Sequence, residues 1–239
     1  MQSEKWWLKE DYWQADMNKV LDNHMSFIER QRNQFNSNFM GLPIEVRDGV
    51  YHPFHGSSTH VVADAVLRIV RRDMEILEIG SGSGALACFL ASQGCQVVAT
   101  DIDVHALECA QLNINNSGLQ DRVTLIHSNL FESVPDKQFD MIIFNPPLLH
   151  CEAIAVNEGL EQRYDDIAID VNGEALIQYG KQAKRYLKPS GQVITLVSNI
   201  GKFEVIEEFT KEMNEVDVLY AQYRNSGNQW RFVLAATNN

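Results

Sequence analysis

The stretch that decides the fold is Ile76-Leu77-Glu78-Ile79-Gly80-Ser81-Gly82-Ser83-Gly84. Its first four residues form a short, mostly apolar run that is typical of a buried strand, and the glycine and serine residues after it predict a tight turn. A helix is expected near residues 85–92, ending at Gly94. Because glycine accepts a positive φ and lets a ligand approach the backbone closely, the stretch predicts a binding turn at the carboxyl end of a strand.

Downstream of this turn, strand and helix patterns keep alternating. The predicted strands cover residues 76–79, 97–100, 123–127, 141–144, 192–197, 216–223 and 230–236, and the predicted helices lie near 85–92, 104–116, 174–187 and 203–213. This alternation indicates βαβ units and a parallel sheet. The closing hairpin, turning at residues 225–228, is expected to add one antiparallel strand at the end of the sheet. The prediction is a doubly wound, mostly parallel, seven-stranded α/β domain over residues 48–239.

Residues 1–47 have a different composition and are predicted to form a small helical N-terminal extension. Aromatic residues recur there at roughly helical spacing, at Trp6, Trp7, Tyr12 and Trp13. Two roles remain open for this segment. It packs on the main domain as a structural cap, or it closes over a substrate.

Composition limits the classes of partner. The chain has 239 residues, 45% of them hydrophobic and 22% charged, with a formal net charge of −12. Such a negative field disfavours nucleic acid, whose phosphates need clustered Lys and Arg. We expect no metal site, because the four cysteines include no CxxC pair and no His cluster has metal-ligand spacing. Without a signal peptide or an apolar run of about 20 residues, the expected location is the cytoplasm, with no membrane contact.

Acidic residues near the glycine turn indicate the kind of ligand. The G-x-G-x-G spacing differs from the dinucleotide pattern G-x-G-x-x-G, and the Glu78 carboxylate suits a ligand with cationic ammonium and sulfonium groups while repelling pyrophosphate. Asp101 ends the next strand, 21 residues after Gly80, where a carboxylate can accept both ribose hydroxyl protons. Ile102 is placed to pack on an adenine face, and the Asn129 amide to bond the adenine amino group. Asp103 is predicted to be a helix N-cap.

Asn145-Pro146-Pro147-Leu148 follows the strand predicted at 141–144. Two prolines end a strand abruptly and stiffen the loop after it. A nitrogen that accepts a methyl group needs acceptors for its N–H protons and must be held in line with the leaving group. The Asn145 side-chain oxygen and the Pro146 carbonyl supply two such acceptors on a rigid support, so catalysis would come from positioning and charge stabilisation.

These motifs together resemble a known family. The stretch 48–198 is similar to class I S-adenosylmethionine-dependent methyltransferases of the amino-methylating branch, which includes release-factor glutamine methyltransferases and several RNA N-methyltransferases. The matching pieces are Val50-Tyr51-His52-Pro53, Glu78 to Gly84, Thr100 to Asp103, Asn129-Leu130-Phe131, Asn145-Pro146-Pro147 and Tyr186 to Gly191. The resemblance implies S-adenosylmethionine as cofactor, S-adenosylhomocysteine as product and a Rossmann-like methyltransferase fold.

From the motifs and the resemblance we assign residues to roles. The cofactor is expected to contact Glu78, Gly80, Ser81, Gly82, Gly84, Asp101, Ile102, Asn129, Leu130 and Asn145. Asn145 and Pro146 are the predicted catalytic residues, and Pro147, Leu148 and His150 are expected to contact the substrate. The long loop from 151 to 172, with Cys151, Glu152, Glu158, Glu161, Arg163 and Tyr164, is a candidate lining of the acceptor pocket.

The acceptor itself stays open. The family usually has an aromatic ring after the prolines, where this chain has Leu148, so a planar acceptor loses stacking energy. We therefore expect a small molecule or a protein side chain, with an RNA base as the alternative. A NAD(P)-dependent oxidoreductase and a non-catalytic methyltransferase-like scaffold are the competing classes. The sequence leaves the oligomeric state open.

Overall fold

The computed structural model describes residues 6–9, 12–20, 22–23, 26, 35–150 and 168–237. A small hairpin of β1 (Asn36–Phe39) and β2 (Leu42–Glu45) precedes the main sheet. The main sheet contains β3 (Glu75–Ile79), β4 (Gln96–Asp101), β5 (Val123–His127), β6 (Phe139–Phe144), β7 (Leu187–Ser198), β8 (Glu215–Arg224) and β9 (Gln229–Thr237). The helices are α1 (Ser58–Val66), α2 (Ala85–Ser92), α3 (Val104–Asn116), α4 (Glu174–Ala183) and α5 (Phe203–Lys211).

The sheet has seven strands in the order β5-β4-β3-β6-β7-β9-β8, and the first five are parallel to one another. This confirms the predicted α/β class and the predicted number of strands. The order reverses beside β3, because β4 and β6 lie on either side of it. Ligands bind at such a reversal point, outside the carboxyl ends of the strands.

Helices cover both faces of the sheet, which explains why its central strands are mostly apolar. On one face α1, α2 and α3 pack on residues such as Ile76, Val97 and Ile143. On the other face α4 and α5 pack on residues such as Leu77 and Ile142. Parallel strands buried on both faces need continuous apolar runs, and these two core clusters supply the burial that stabilises the domain.

The closing hairpin departs from the prediction in its position. Strand β9 pairs antiparallel with both β7 and β8, so the antiparallel strand lies inside the sheet and β8 forms the edge. Residues 192–198 of β7 pair with 231–237 of β9, and residues 215–224 of β8 pair with 229–237 on its other side. The apolar run from Phe232 to Ala236, buried on both sides, is the physical reason for the inner position.

The N-terminal extension is not helical throughout, which corrects the prediction for residues 36–45. A β-hairpin stands there, because Met40 and Gly41 both adopt positive φ, at 51° and 88°, as a two-residue hairpin turn requires. A 3-10 helix occurs at Trp6–Leu8. Residues 1–5, 10–11, 21, 24–25 and 27–34 of the predicted helical extension lie outside the described residues.

The helices and the cysteines of the described residues give two further observations. Within the described ranges no helix is long and apolar enough to cross a membrane. Cys88, Cys95 and Cys109 are buried free thiols, as expected for core positions, and Cys151 lies outside the described residues.

Gly84 gives the first testable prediction, because it starts α2 where that helix meets α3. Its φ is 74°, and a Cβ placed on it would stand 2.8 Å from the Ala110 Cβ and 2.9 Å from the Ala110 Cα. Gly84→Ala is therefore expected to lower the free energy of unfolding by about 2–5 kcal/mol, since left-handed strain and overpacking add. Urea denaturation measures this.

Gly118→Ala is the matched control. Gly118 also has a positive φ, 66°, but a Cβ there would meet no atom within 4 Å. Only the backbone strain of about 1–2 kcal/mol should appear. Equal losses in the two variants would contradict the proposed contact between the glycine turn and α3.

Candidate active site

A large cavity of about 1410 Å³ opens at the carboxyl ends of β3, β4 and β6. It brings together most of the residues that the sequence singled out. The predicted residues on its lining are Glu78, Gly80, Ser81, Gly82, Asp101, Ile102, Asn129, Leu130, Asn145, Pro146, Pro147 and Leu148. We call this space the main cavity. Its volume exceeds the range of about 300–1,000 Å³ that is usual for one small-molecule site.

The glycine turn is held to the neighbouring strand by its own backbone. The Ser81 N–H donates to the Thr100 carbonyl at 2.8 Å, and the Gly82 N–H donates to Asp101 Oδ2 at 2.8 Å. A Cβ on Gly82, where φ is 52°, would meet no protein atom within 4 Å. The turn therefore presents open backbone to the main cavity. Gly84 does not line that cavity and serves helix packing instead.

Asp101 links the turn to the start of α3. Its Oδ1 accepts the Asp103 N–H at 2.9 Å while Oδ2 accepts that of Gly82. Burial raises the pKa of Asp101, and these backbone hydrogen bonds oppose the rise. Each oxygen keeps a further lone pair for ligand hydroxyls. Asp103 accepts the His105 N–H at 2.9 Å, which confirms the predicted N-cap.

Glu78 is a buried carboxyl group with an unsatisfied oxygen. The side chain is 4% exposed, and among the described residues Oε2 has no hydrogen-bond partner. Burial and the nearby Asp101 charge raise the pKa of Glu78 well above its usual value. Burying an ionised carboxylate without a partner destabilises the ligand-free protein. A cationic ligand beside Glu78 would offset that loss of stability.

An apolar residue and a strained loop line the far side of the turn. Ile102 is 65% exposed although it is large and apolar, so it offers an uncovered surface beside Asp101. Leu130 adopts a positive φ of 46°, held by the Ser128 hydroxyl, which donates to the Leu130 carbonyl at 2.9 Å. Asn129 is exposed and its amide donates to Glu132 at 3.1 Å.

Two hydroxyl groups orient the side-chain amide of Asn145. Its Nδ2 donates to the Ser58 hydroxyl at 3.0 Å and to the Thr59 hydroxyl at 3.3 Å. The Ser58 hydroxyl donates its proton to the Tyr51 hydroxyl at 3.0 Å. Its oxygen is therefore an acceptor for the Asn145 amide. The opposite atom, Asn145 Oδ1, is buried and has no partner among the described residues. The network thus occupies the amide nitrogen and leaves the carbonyl oxygen as an acceptor that no described residue uses.

His150 is not brought to the main cavity. Its ring is 5% exposed behind the loop, and Nδ1 accepts the Lys202 N–H at 3.0 Å. Burial and the Lys202 charge lower the pKa of His150 to about 4, so the ring is neutral at pH 7. Within the described residues it acts as a structural acceptor that ties the loop to the segment before α5, rather than as a wall of the cavity.

His150 predicts an acid-sensitive stability. Because its pKa is lower in the folded state than the usual 6.5, the unfolded chain binds the extra proton first, and stability falls as the pH drops from 6.5 towards 4. At pH 5 the loss from this residue is about 2 kcal/mol. His150→Asn retains an acceptor and removes the titration, so urea denaturation at pH 7.5 and 5.0 should show a smaller difference in this variant. An unchanged difference would contradict the assignment.

Sequence reasoning missed the far wall of the main cavity. Strand β9 and the turn before it contribute Gln229, Arg231, Asn225 and Ser226, and β8 contributes Arg224. Hairpin residues carry no local motif, so only the pairing of β9 with β7 and β8 shows that they face the cavity.

The N-terminal extension also reaches this wall. Val20 and Asn23 line the main cavity, and Asn23 donates to the Ser226 hydroxyl at 2.9 Å. Trp6, Tyr12 and Trp13 pack against Phe232 of β9. The segment therefore both packs on the domain and forms part of the cavity rim.

The fold and the sequence are similar to those of methyltransferases. Residues 56–164 match the family model described as the methyltransferase small domain. The T. thermophilus 16S rRNA N2 methyltransferase RsmC, solved in complex with AdoMet and guanosine, has the same fold, with a TM-score of 0.64 at 20% identity over 86% of this chain and 50% of that one.

Proteins related in sequence indicate which kinds of methyltransferase this chain is similar to. A bifunctional methyltransferase of Rickettsia typhi is 33% identical over 61% of this chain and 29% of its own length, so this chain spans less than a third of that relative. A release factor glutamine methyltransferase of Geobacter sulfurreducens is 31% identical over 78% of this chain and 66% of its own length. The chain belongs with these methyltransferases, as its Asn-Pro-Pro loop and glycine turn predict.

Proposed function

We propose that the chain transfers a methyl group from S-adenosylmethionine to a nitrogen atom held at the Asn145-Pro146 loop. The observation that carries this proposal is the fixed orientation of Asn145. A hydroxyl network occupies its amide nitrogen and leaves Oδ1 without a partner among the described residues, in a side chain that lines the same cavity as the glycine turn.

The residues on the cavity wall suit this cofactor. The unpartnered Glu78 carboxyl matches a cationic group, the open backbone at Gly82 admits a close approach, and Asp101 offers acceptors for hydroxyl groups. Ile102 and Leu130 present apolar surface for an adenine ring. When bound, S-adenosylmethionine supplies an electrophilic methyl group on a cationic sulfur.

The chain's own residues orient the acceptor. Asn145 Oδ1 and the Pro146 carbonyl accept N–H protons of the acceptor, which turns its lone pair toward the methyl donor. As the nitrogen gains positive charge, these fixed dipoles stabilise it without reorganising. Pro147 and Leu148 form the adjoining wall. The chemistry needs no nucleophilic side chain.

The acceptor is proposed to be a small molecule or a protein side chain. The main cavity is larger than one ligand needs, which favours a small second ligand within it. Similarity to release factor glutamine methyltransferases favours a glutamine side chain. An RNA base is the third candidate, and the net charge of −12 opposes it.

Two measurements test the proposal. S-adenosylhomocysteine should raise the melting temperature of the chain whereas NAD should not, because a ligand stabilises the state that it binds. Methyl-labelled S-adenosylmethionine should then label a nitrogen in the small-molecule or protein fraction of a cell extract. Stabilisation by NAD alone, or a labelled oxygen or carbon in the product, would overturn the proposal.

A further inference from the structure

Two arginine side chains converge on one carbonyl at the hairpin end of the main cavity. Arg231 Nη1 donates to the Gly56 carbonyl at 3.0 Å, and Arg224 Nη2 donates to the same oxygen at 2.7 Å. Both side chains line the cavity. A shared carbonyl therefore fixes two like charges side by side.

Arg231 is buried without an acidic partner. The residue is 8% exposed, and its Nε has no hydrogen-bond partner among the described residues. No carboxylate of the described residues forms an ion pair with Arg231. Burial and the neighbouring Arg224 charge lower the pKa of Arg231 to about 10, while Tyr51 opposes the change, so the group stays cationic at pH 7. Burying an unpaired charge beside a like charge opposes folding, and an anionic ligand would offset that cost.

The arginine pair adjoins the group that orients the acceptor nitrogen. Gly56 accepts from the arginines, and Ser58, two residues later, accepts from the Asn145 amide at 3.0 Å. One short turn therefore holds both the arginine pair and the catalytic amide. The other charged groups on the lining are all acids, namely Glu78, Asp101 and Asp103 around the glycine turn, and Asp170 and Glu174. The two arginines are therefore the basic groups of a cavity whose other charged lining residues are acidic.

We propose that Arg231 and Arg224 form a subsite for an oxyanion of the methyl acceptor, and that the acceptor is a small anionic molecule carrying a carboxylate or a phosphate. The inference rests on the proposed function, since it specifies the second ligand of the same cavity. Guanidinium groups recognise planar carboxylates and phosphates through paired N–H donors. The depth of Arg231 selects a compact ligand over the surface of a folded protein.

The test uses the full chain, methyl-labelled S-adenosylmethionine and a small-molecule extract freed of protein and nucleic acid. The extract is divided on an anion exchanger into bound and unbound fractions. Alkaline phosphatase then removes a phosphate, and esterification in acidic methanol masks a carboxylate. The variants are Arg231→Gln, Arg231→Lys and, as a control on the surface, Arg185→Gln, whose side chain is exposed and lies 3.5 Å from the exposed Asp136 carboxylate.

We expect labelling activity in the anion-bound fraction, and its loss after one of the two treatments identifies the anion. Arg231→Gln should raise the apparent KM for that fraction about ten-fold, Arg231→Lys less, and Arg185→Gln not at all. The Kd for S-adenosylhomocysteine should stay unchanged in all three, which also shows that the variants fold.

Three results would overturn the inference while leaving methyl transfer intact. These are activity confined to the unbound fraction, label in the protein or RNA fraction instead, and an Arg231→Gln variant that loses S-adenosylhomocysteine affinity in step with activity. The last result would assign the arginine to the cofactor or to the fold. A chain that neither binds S-adenosylhomocysteine nor labels any fraction would instead overturn the proposed function itself.

Discussion

Asn145→Ala is expected to lower kcat for methyl transfer about 10²–10³-fold, the loss typical of removing one fixed dipole that stabilises transition-state charge. The affinity for S-adenosylhomocysteine should fall much less, because the turn at Gly82 and the carboxylates of Glu78 and Asp101 are untouched. Single-turnover kinetics with labelled S-adenosylmethionine, together with calorimetric titration of S-adenosylhomocysteine, separate the two effects.

Matched variants show which atom of Asn145 matters. Asn145→Asp keeps an acceptor oxygen but loses the amide that Ser58 and Thr59 accept from, so an intermediate loss is expected. Ser58→Ala combined with Thr59→Val leaves Oδ1 present but less firmly oriented, and kcat should fall less than in Asn145→Ala. Asn116→Ala, at the exposed end of α3, controls for the loss of an amide elsewhere. Full activity of Asn145→Ala would exclude the proposed mechanism.

The elements around the glycine turn follow from local sequence. Apolar runs of four to six residues, each followed by glycine, proline or an acid, predict the strands that end at Ile79, Asp101 and Phe144. Parallel strands bring their carboxyl ends to one edge, so the sequence order alone places Glu78, Asp101 and Asn145 at one site. Around the glycine turn, the hydrophobic pattern and the turn residues predict the same strand ends, and the structure has its strand ends there.

The parts that the sequence did not predict depend on long-range pairing. Arg231 sits in an apolar strand whose neighbours become known only when β9 inserts between β7 and β8. Asn36–Glu45 fell within the helical extension predicted over 1–47, but two positive φ angles at Met40 and Gly41 and the Asn113 amide, which donates to the Glu45 carbonyl at 2.7 Å, favour a hairpin against α3. His150 was expected at the substrate, yet its ring packs closely against Gly201 and accepts the Lys202 N–H, two contacts with a segment distant in the chain.

Glu78 and Arg231 share one physical feature that no periodicity reveals. Each is a charged residue type buried with an atom left unpartnered among the described residues, and each lines the main cavity. A protein keeps such groups at a cost in stability when a ligand supplies the missing partner. The opposite signs of the two groups indicate ligand parts of opposite charge.

Glu78→Gln is therefore expected to stabilise the free protein and weaken its cofactor. The pKa of Glu78 is raised in the folded state, so the folded chain holds a proton that the unfolded chain has released, and stability falls as the pH rises above about 4.5. Glutamine removes this loss, and the melting temperature of the ligand-free variant should exceed that of the parent at pH 8, with the difference shrinking toward pH 4.5.

Cofactor binding should change in the opposite direction. Loss of one charge-assisted contact to a cationic group weakens binding about 10–100-fold. In the parent, affinity for S-adenosylmethionine should also rise with pH as Glu78 loses its proton, and this dependence should disappear in Glu78→Gln. Calorimetric titrations across pH 5.5–8.5 measure both effects.

Glu75→Gln is the control from the same strand, with the reverse expectation. Glu75 contacts Lys137 at 2.7 Å and Lys188 at 2.9 Å, and these cations lower the pKa of its carboxyl. Removing that charge should slightly reduce stability at neutral pH and leave cofactor affinity unchanged. If Glu78→Gln also lost stability and kept its affinity, Glu78 would be a structural acid like Glu75, and the cationic end of the ligand would have to bind elsewhere in the cavity.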